Sequence, residues 1–238
     1  MNDLSDILCA HRGASGNFPE NTRLAFEKAK EAGVKWIETD LNMLADGVFI
    51  IFHDDRLGRT TTGFDLISNL VFDEVRDLDV GSWKGEEFKG EKILTFTEIL
   101  NWQEKNCMNI NYEIKCDLSD QHLVAVNLFK ILGKKKTNDI IISSFSIDMI
   151  LECRKYLPDL SYALVVEKLP RNWRKIAVEL SLNAFHLDST YLSRRQVKAL
   201  KSENLSVRVY TVNDQKIFNQ ICRWGVDMIM SDYPEHFI

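Results

Sequence analysis

The chain has 238 residues, of which 45% are apolar and 27% charged, with a formal charge of -5. This length and balance describe one ordinary globular domain and exclude a disordered chain, while the scattered lysines and arginines give no basic stripe for nucleic acid. No apolar run reaches the roughly 18 residues a membrane span needs, so no stable membrane insertion is expected.

The stretch from Met1 to Ala10 lacks a basic start followed by an apolar segment, so no secretory signal is visible and a cytoplasmic location is expected. Cys9, Cys107, Cys116, Cys153 and Cys222 are an odd set without CxxC spacing, which argues for reduced thiols over a disulfide framework or a structural zinc. The short run Lys134-Lys135-Lys136 reads as a solvated loop.

Along the chain, short runs rich in β-branched and aromatic residues alternate with amphipathic stretches of about 10 to 14 residues, the pattern of repeated β-α units on a parallel sheet. The strand-like runs are 7–12, 36–42, 48–53, 110–115, 140–145, 162–166, 185–188, 207–212 and 228–231. These are nine, and a closed barrel takes eight. The extra one is the third, because it follows the second too closely for a parallel crossover and is joined to it through Asp46-Gly47, a dipeptide suited to hairpin turns. If Asp46 and Gly47 are the two turn residues, His53 stands opposite Asp40. The expected fold class is therefore α/β, a (β/α)8 TIM barrel with a hairpin after its second strand, in a single domain spanning 1–238.

Between Asp54 and Lys92 the β-α rhythm stops, and Gly58, Gly63, Gly81, Gly85 and Gly90 appear. The segment also carries Phe64, Leu66, Val71, Phe72, Leu78, Val80, Trp83 and Phe88, so 54–92 is expected to pack as an inserted lid or small subdomain.

Barrel chemistry sits at the carboxyl ends of the strands, and there the sequence places His11 and Arg12, Glu38 and Asp40, His53 and Asp54, and Glu113 and Lys115. Residues two apart on a strand project together, so Glu38 with Asp40, and Glu113 with Lys115, face one common space. Three clustered carboxylates either share protons or bind a cation. The oxygen-only donor set suits one hard divalent ion, Ca2+ or Mg2+, better than zinc. A salt-bridge network between strands is the competing structural explanation. Arg12 offers a planar fork for phosphate oxygens and Lys115 a compact charge, while His11 and His53 can move protons. His122 and His236 read as surface positions, and His186 as structural.

These residues lie in a series of motifs: His11-Arg12-Gly13, Pro19-Glu20-Asn21-Thr22, Glu38-Thr39-Asp40, the Asp46-Gly47 turn, Phe52-His53-Asp54, Glu113-Ile114-Lys115, Ser144-Phe145, Thr211-Val212-Asn213 and Ser231-Asp232-Tyr233-Pro234. In content, order and end-to-end extent the series resembles the glycerophosphodiester phosphodiesterases, including an insertion after the second histidine that ends with Phe88, Gly90 and Glu91. The resemblance implies hydrolysis of a glycerophosphodiester, such as glycerophosphocholine or glycerophosphoethanolamine, to sn-glycerol 3-phosphate and an alcohol. It further implies metal ligation by Glu38, Asp40 and Glu113, acid-base roles for His11 and His53, and a phosphate grip by Arg12 and Lys115. Glu20 would contact substrate or orient Arg12.

Three positions depart from the family pattern. Tyr210 stands where tryptophan is typical, on the wall of the glycerol pocket. Leu94 replaces a common proline, and Met228 a frequent glycine, which would narrow the barrel mouth. Barrel enzymes of this type often dimerise, which leaves a homodimer as an open expectation. The residues also allow two other readings. One is a lysophospholipase D-like enzyme using Phe64, Leu66, Ile67, Leu70, Val71 and Phe72 as an acyl-chain rim, and the other is a barrel that binds phosphodiesters without turnover.

Overall fold

A computed structural model gives the fold and describes residues 4–115, 120–133, 135 and 138–238; Met1, Cys116, Lys134 and Lys136 lie outside the described residues. All nine runs are strands: Leu8–His11 (β1), Trp36–Met43 (β2), Phe49–Ile51 (β3), Asn109–Ile114 (β4), Ile140–Ser144 (β5), Ser161–Val166 (β6), Ala184–Asp188 (β7), Ser206–Tyr210 (β8) and Met228–Ser231 (β9). Eight of them are parallel and close into a barrel, with β1 pairing to both β9 and β2, while β3 runs antiparallel to β2.

Helices Arg23–Glu31, Phe96–Asn106, Gln121–Leu132, Ile147–Tyr156, Trp173–Glu179, Arg194–Lys201 and Gln215–Trp224 make the crossovers, and after β9 only the 3-10 turn Pro234–His236 follows. Side chains on Thr22, Thr95, Asp120, Ser146, Ser193 and Asp214 accept backbone N–H groups of the first turns that the helices themselves cannot pair. At Thr95 and Ser193 the bond is reciprocated by Glu98 and Gln196. In place of an eighth helix, the Phe237 ring stacks on Phe218 at 4.2 Å and covers the end of the barrel wall.

The strands are buried on both faces, which is why they read as near-continuous apolar runs. Outward side chains such as Ile37, Tyr112, Ile142 and Val209 pack against the helices. Inward side chains that fill the barrel interior are Cys9, Ile141, Ala163, Ala184, Met228 and Met230, with Trp36 and Tyr210 against them. Met228 is the first residue of β9, at the end away from the strand carboxyl termini, so it fills the floor of the barrel and does not narrow the mouth.

The hairpin register corrects the expectation for His53. Leu41 pairs with Ile51 and Met43 with Phe49, and the Phe52 N–H donates to the Asp40 carbonyl, so Phe52 stands opposite Asp40 and His53 lies one residue beyond. The cause is the turn, which takes three residues: Leu44 pairs with Val48, the Gly47 N–H donates to the Leu44 carbonyl, and Gly47 has φ +81°. A three-residue hairpin loop needs its last residue left-handed, a conformation glycine adopts without strain. β2 outlasts β1, whose last pair is His11 with Glu38, and β3 occupies the edge that β1 leaves. His53 is thereby carried above the rim.

Residues 54–92 build a second, smaller core with the hairpin: Ile67, Val75 and Val80 are buried with Leu44, Ile50, Phe52 and Ile93, and Leu57, Leu70, Phe72 and Leu78 pack on them. Phe64, Val71 and Trp83 do not join it and are exposed. Of the proposed acyl-chain rim, Ile67, Leu70 and Phe72 are thus taken up by packing. The segment reaches across the mouth, where Phe88 meets Phe18 edge to face at 5.9 Å and the Lys84 Nζ donates to the Ser15 carbonyl at 2.8 Å.

Phe96, 1% exposed, starts the helix after this segment and contacts Tyr112 and Phe49 edge to face at 4.9 and 6.1 Å. It pins the hairpin to the barrel wall. Phe96→Ala is expected to destabilise by about 3–5 kcal/mol, read by chemical denaturation, because the surrounding aromatics cannot collapse into the void.

Candidate active site

The chain leaves β1 through a strained turn. Arg12 has φ +57°, and its N–H donates to the Glu38 carbonyl at 2.9 Å and to Glu38 Oε2 at 3.1 Å. A left-handed arginine costs energy that the surroundings must hold in place. The next residue has to be glycine, since a Cβ on Gly13 would lie 2.7 Å from Ala25. This turn aims the Arg12 guanidinium into the mouth, with Nη1 2.8 Å from Glu20 Oε1 and Nε 3.2 Å from Asp40 Oδ2. Glu20 thus accepts a hydrogen bond from Arg12.

Glu38, Asp40 and Glu113 are buried, and one carboxylate oxygen from each lies within 4.8 Å of the others. Strand register explains this, because Asp40 stands directly across from Glu113 and Glu38 is two residues back on the same face. Burial, followed by the charges of Asp40 and Glu113, pushes the Glu38 carboxyl well above the usual range. Burial also pushes Asp40 upward, but Arg12, His53, Lys115 and the Asn21 amide outweigh it and hold Asp40 below. The Asn21 amide donates to Asp40 Oδ2 at 2.8 Å while its oxygen accepts the Thr39 hydroxyl, so the Pro19-Glu20-Asn21-Thr22 segment braces the acids. Lys115 Nζ lies 2.5 Å from Glu113 and 3.7 Å from Asp40. An all-oxygen trio with one carboxyl held above its normal pKa by burial and by the neighbouring carboxylates is the donor set a hard divalent cation fits.

Each histidine is held by its own carboxylate. His11 Nδ1 lies 2.6 Å from Asp232 Oδ1, and His53 Nδ1 lies 2.6 Å from Asp54 Oδ1. Burial raises the Asp232 pKa, but bonds from His11, Asn213 and Ser15 bring it down to about 2. Asp54 is likewise held low, chiefly by Arg59 and His53 acting against burial. Both are ionised acceptors near neutral pH, so both imidazoles must carry a proton on Nδ1, with Nε2 facing away from that carboxylate. Nε2 of His11 lies 3.8 Å from Glu38 Oε2, on the acid cluster. Arg59, from the inserted segment, forks onto both Asp54 and Glu20 through four contacts of 2.7–3.1 Å.

The other candidates fall on either side. Tyr210 stands at the end of β8 across from Asp188, edge to face with Phe145 at 6.4 Å, and its hydroxyl is buried without a hydrogen-bond partner among the described residues. Lys115 Nζ rides over the Phe145 ring at 5.2 Å. His186 is 1% exposed inside the barrel, its Nε2 3.3 Å from Arg208 Nη1, and burial followed by that arginine keeps it neutral. His122 and His236 are exposed.

The model of the Glycerophosphoryl diester phosphodiesterase family matches residues 11–236. The chain belongs to that family. As a member it is a phosphoric diester hydrolase built on a TIM barrel. It is 31% identical over 251 residues to a glycerophosphodiester phosphodiesterase of Bacillus subtilis, with 97% of this chain and 85% of the relative covered. A glycerophosphodiester phosphodiesterase of Caldanaerobacter subterraneus is 30% identical, with 99% and 97% covered. Among solved structures, an Oleispira antarctica phosphodiesterase in complex with the product sn-glycerol-3-phosphate superposes with a TM-score of 0.93 at 30% identity, covering 97% of this chain and 94% of that one.

In this phosphodiesterase several partners of the site escaped the sequence-level assignment. Asn21, Asn213 and Asp232 sit within the family motifs, and Arg59 lies outside all of them. Asp232 has an acid-stability signature. Its carboxyl is held below the ordinary value of about 3.9, so its contribution is present above that value and is lost as pH falls toward about 2. The melting temperature is expected to drop between about pH 4 and 2, and Asp232→Asn to flatten that limb.

Proposed function

We propose that the chain hydrolyses glycerophosphodiesters, such as glycerophosphocholine and glycerophosphoethanolamine, to sn-glycerol 3-phosphate and the free alcohol. The observation that carries this reading is the buried trio Glu38, Asp40 and Glu113 flanked by two imidazoles, each with Nδ1 tied to its own carboxylate. Such a set serves a phosphodiester, whose cleavage needs one proton removed and one supplied around a charged phosphorus centre.

Glu38, Asp40 and Glu113 would hold one divalent cation, Ca2+ or Mg2+. When bound, that ion supplies Lewis-acid neutralisation of charge on the phosphate oxygens. Arg12, already steered by Glu20, presents its fork to the same oxygens, and Lys115 adds a point charge. One imidazole Nε2 takes the proton from the attacking hydroxyl, whether of water or of the glycerol 2-position. The other, protonated on both ring nitrogens, gives its Nε2 proton to the departing alkoxide. The buried Tyr210 hydroxyl, without a partner among the described residues, would meet a polar group of the substrate at the mouth. The segment 54–92 acts as a lid over this end of the barrel.

The test is an enzyme-coupled assay of glycerol 3-phosphate release from the two diesters with calcium, with magnesium and with EDTA. Release in either metal and silence in EDTA supports the reading. No release from either diester in any condition overturns it.

A further inference from the structure

We propose that Arg59 is a positioning residue for this site, a clamp that sets the Arg12 guanidinium and the His53 imidazole together and ties the inserted segment to the chemistry. This rests on the function proposed above.

The geometry is a double fork. Arg59 Nε and Nη2 donate to Asp54 Oδ2 and Oδ1 at 2.7 and 3.1 Å, and Nη1 and Nη2 donate to Glu20 Oε2 and Oε1 at 2.8 and 2.7 Å. The two carboxylates have opposite clients. Asp54 Oδ1 also accepts His53 Nδ1, and Glu20 Oε1 also accepts Arg12 Nη1. A single side chain therefore joins a residue on the hairpin end to one on the turn after β1. A lysine could not replace it, since one ammonium lacks the planar fork that engages two carboxylates at once.

Two further facts separate positioning from substrate binding. Four of the five guanidinium N–H groups are committed to these carboxylates, so little capacity remains for a phosphate. Arg59 also lies within the segment that packs Leu57, Ile67 and Val75 into the smaller core, two residues after Leu57. Displacing that segment would break the two bonds to Glu20, and with them the link between Arg12 and the His53 side of the site.

The experiment uses the full-length enzyme with its activating metal. Arg59→Ala is expected to lower kcat by roughly 10–100-fold, the usual effect of removing an outer partner that orients a site residue, with KM changed less. Its melting temperature stays close to the parent, and free guanidinium restores part of kcat. Arg59→Lys keeps the stem and charge and is expected to remain at least about tenfold low. A folded Arg59→Ala enzyme with kcat near the parent value overturns the proposal, as does an Arg59→Lys enzyme that matches the parent. An inactive parent enzyme would instead overturn the function itself.

Discussion

His11→Ala is expected to lower kcat by ~100-fold or more, with the fold retained, because the imidazole is one of two groups placed to transfer a proton and removing such a group typically costs that much. The measurement is steady-state release of glycerol 3-phosphate. Since Asp232 fixes the His11 tautomer at 2.6 Å, Asp232→Asn should move in the same direction, for an amide can present its NH2 to Nδ1 and turn the proton to Nε2. Activity unchanged in His11→Ala would remove His11 from the mechanism. The double change His11→Ala with Asp232→Asn should lose little beyond His11→Ala alone, since both act on one imidazole.

Glu38→Gln, or chelation of the parent enzyme, is expected to be still more severe. Lewis-acid neutralisation is worth several kcal/mol, and at about 1.36 kcal/mol per decade this is roughly 10³-fold in rate. Stability should move the opposite way in the metal-free protein. Glu38 is buried beside Asp40 and Glu113, and its carboxyl resists ionisation for both reasons, so an uncharged isostere relieves repulsion. Metal-free Glu38→Gln should therefore melt higher than the metal-free parent, yet gain less on addition of calcium or magnesium. A ligand that binds only the folded state at ~100 times its Kd adds about 2.7 kcal/mol, which gives that comparison a measurable range. Equal metal-induced shifts in parent and variant would exclude Glu38 from the ligand set.

Much of this molecule is legible in one dimension because its governing patterns are local. Alternation along a strand fixes which side chains share a face, so Glu38 with Asp40 could be grouped before any coordinates, and Asp46-Gly47 marked the strand that does not belong to the barrel. The carboxyl-end rule then turned nine short runs into a candidate site. Where the reading slipped, the deciding quantity was finer than the pattern. Two-residue and three-residue hairpin loops share the same Asp-Gly signature, and the one-residue difference moved His53 from opposite Asp40 to beyond it.

By itself the sequence determined the barrel, the extra hairpin strand and the grouping of three acids, two histidines and two cations, since these rest on local alternation, turn chemistry and residue type at strand ends. The tertiary structure alone decided the wiring. His11 meets Asp232 across 221 positions and Arg59 meets Glu20 across 39, while Phe64 is left in solvent where Ile67, three residues on, is buried. Contacts of that span follow from barrel closure and from how the inserted segment seats on the rim, and no local periodicity encodes either.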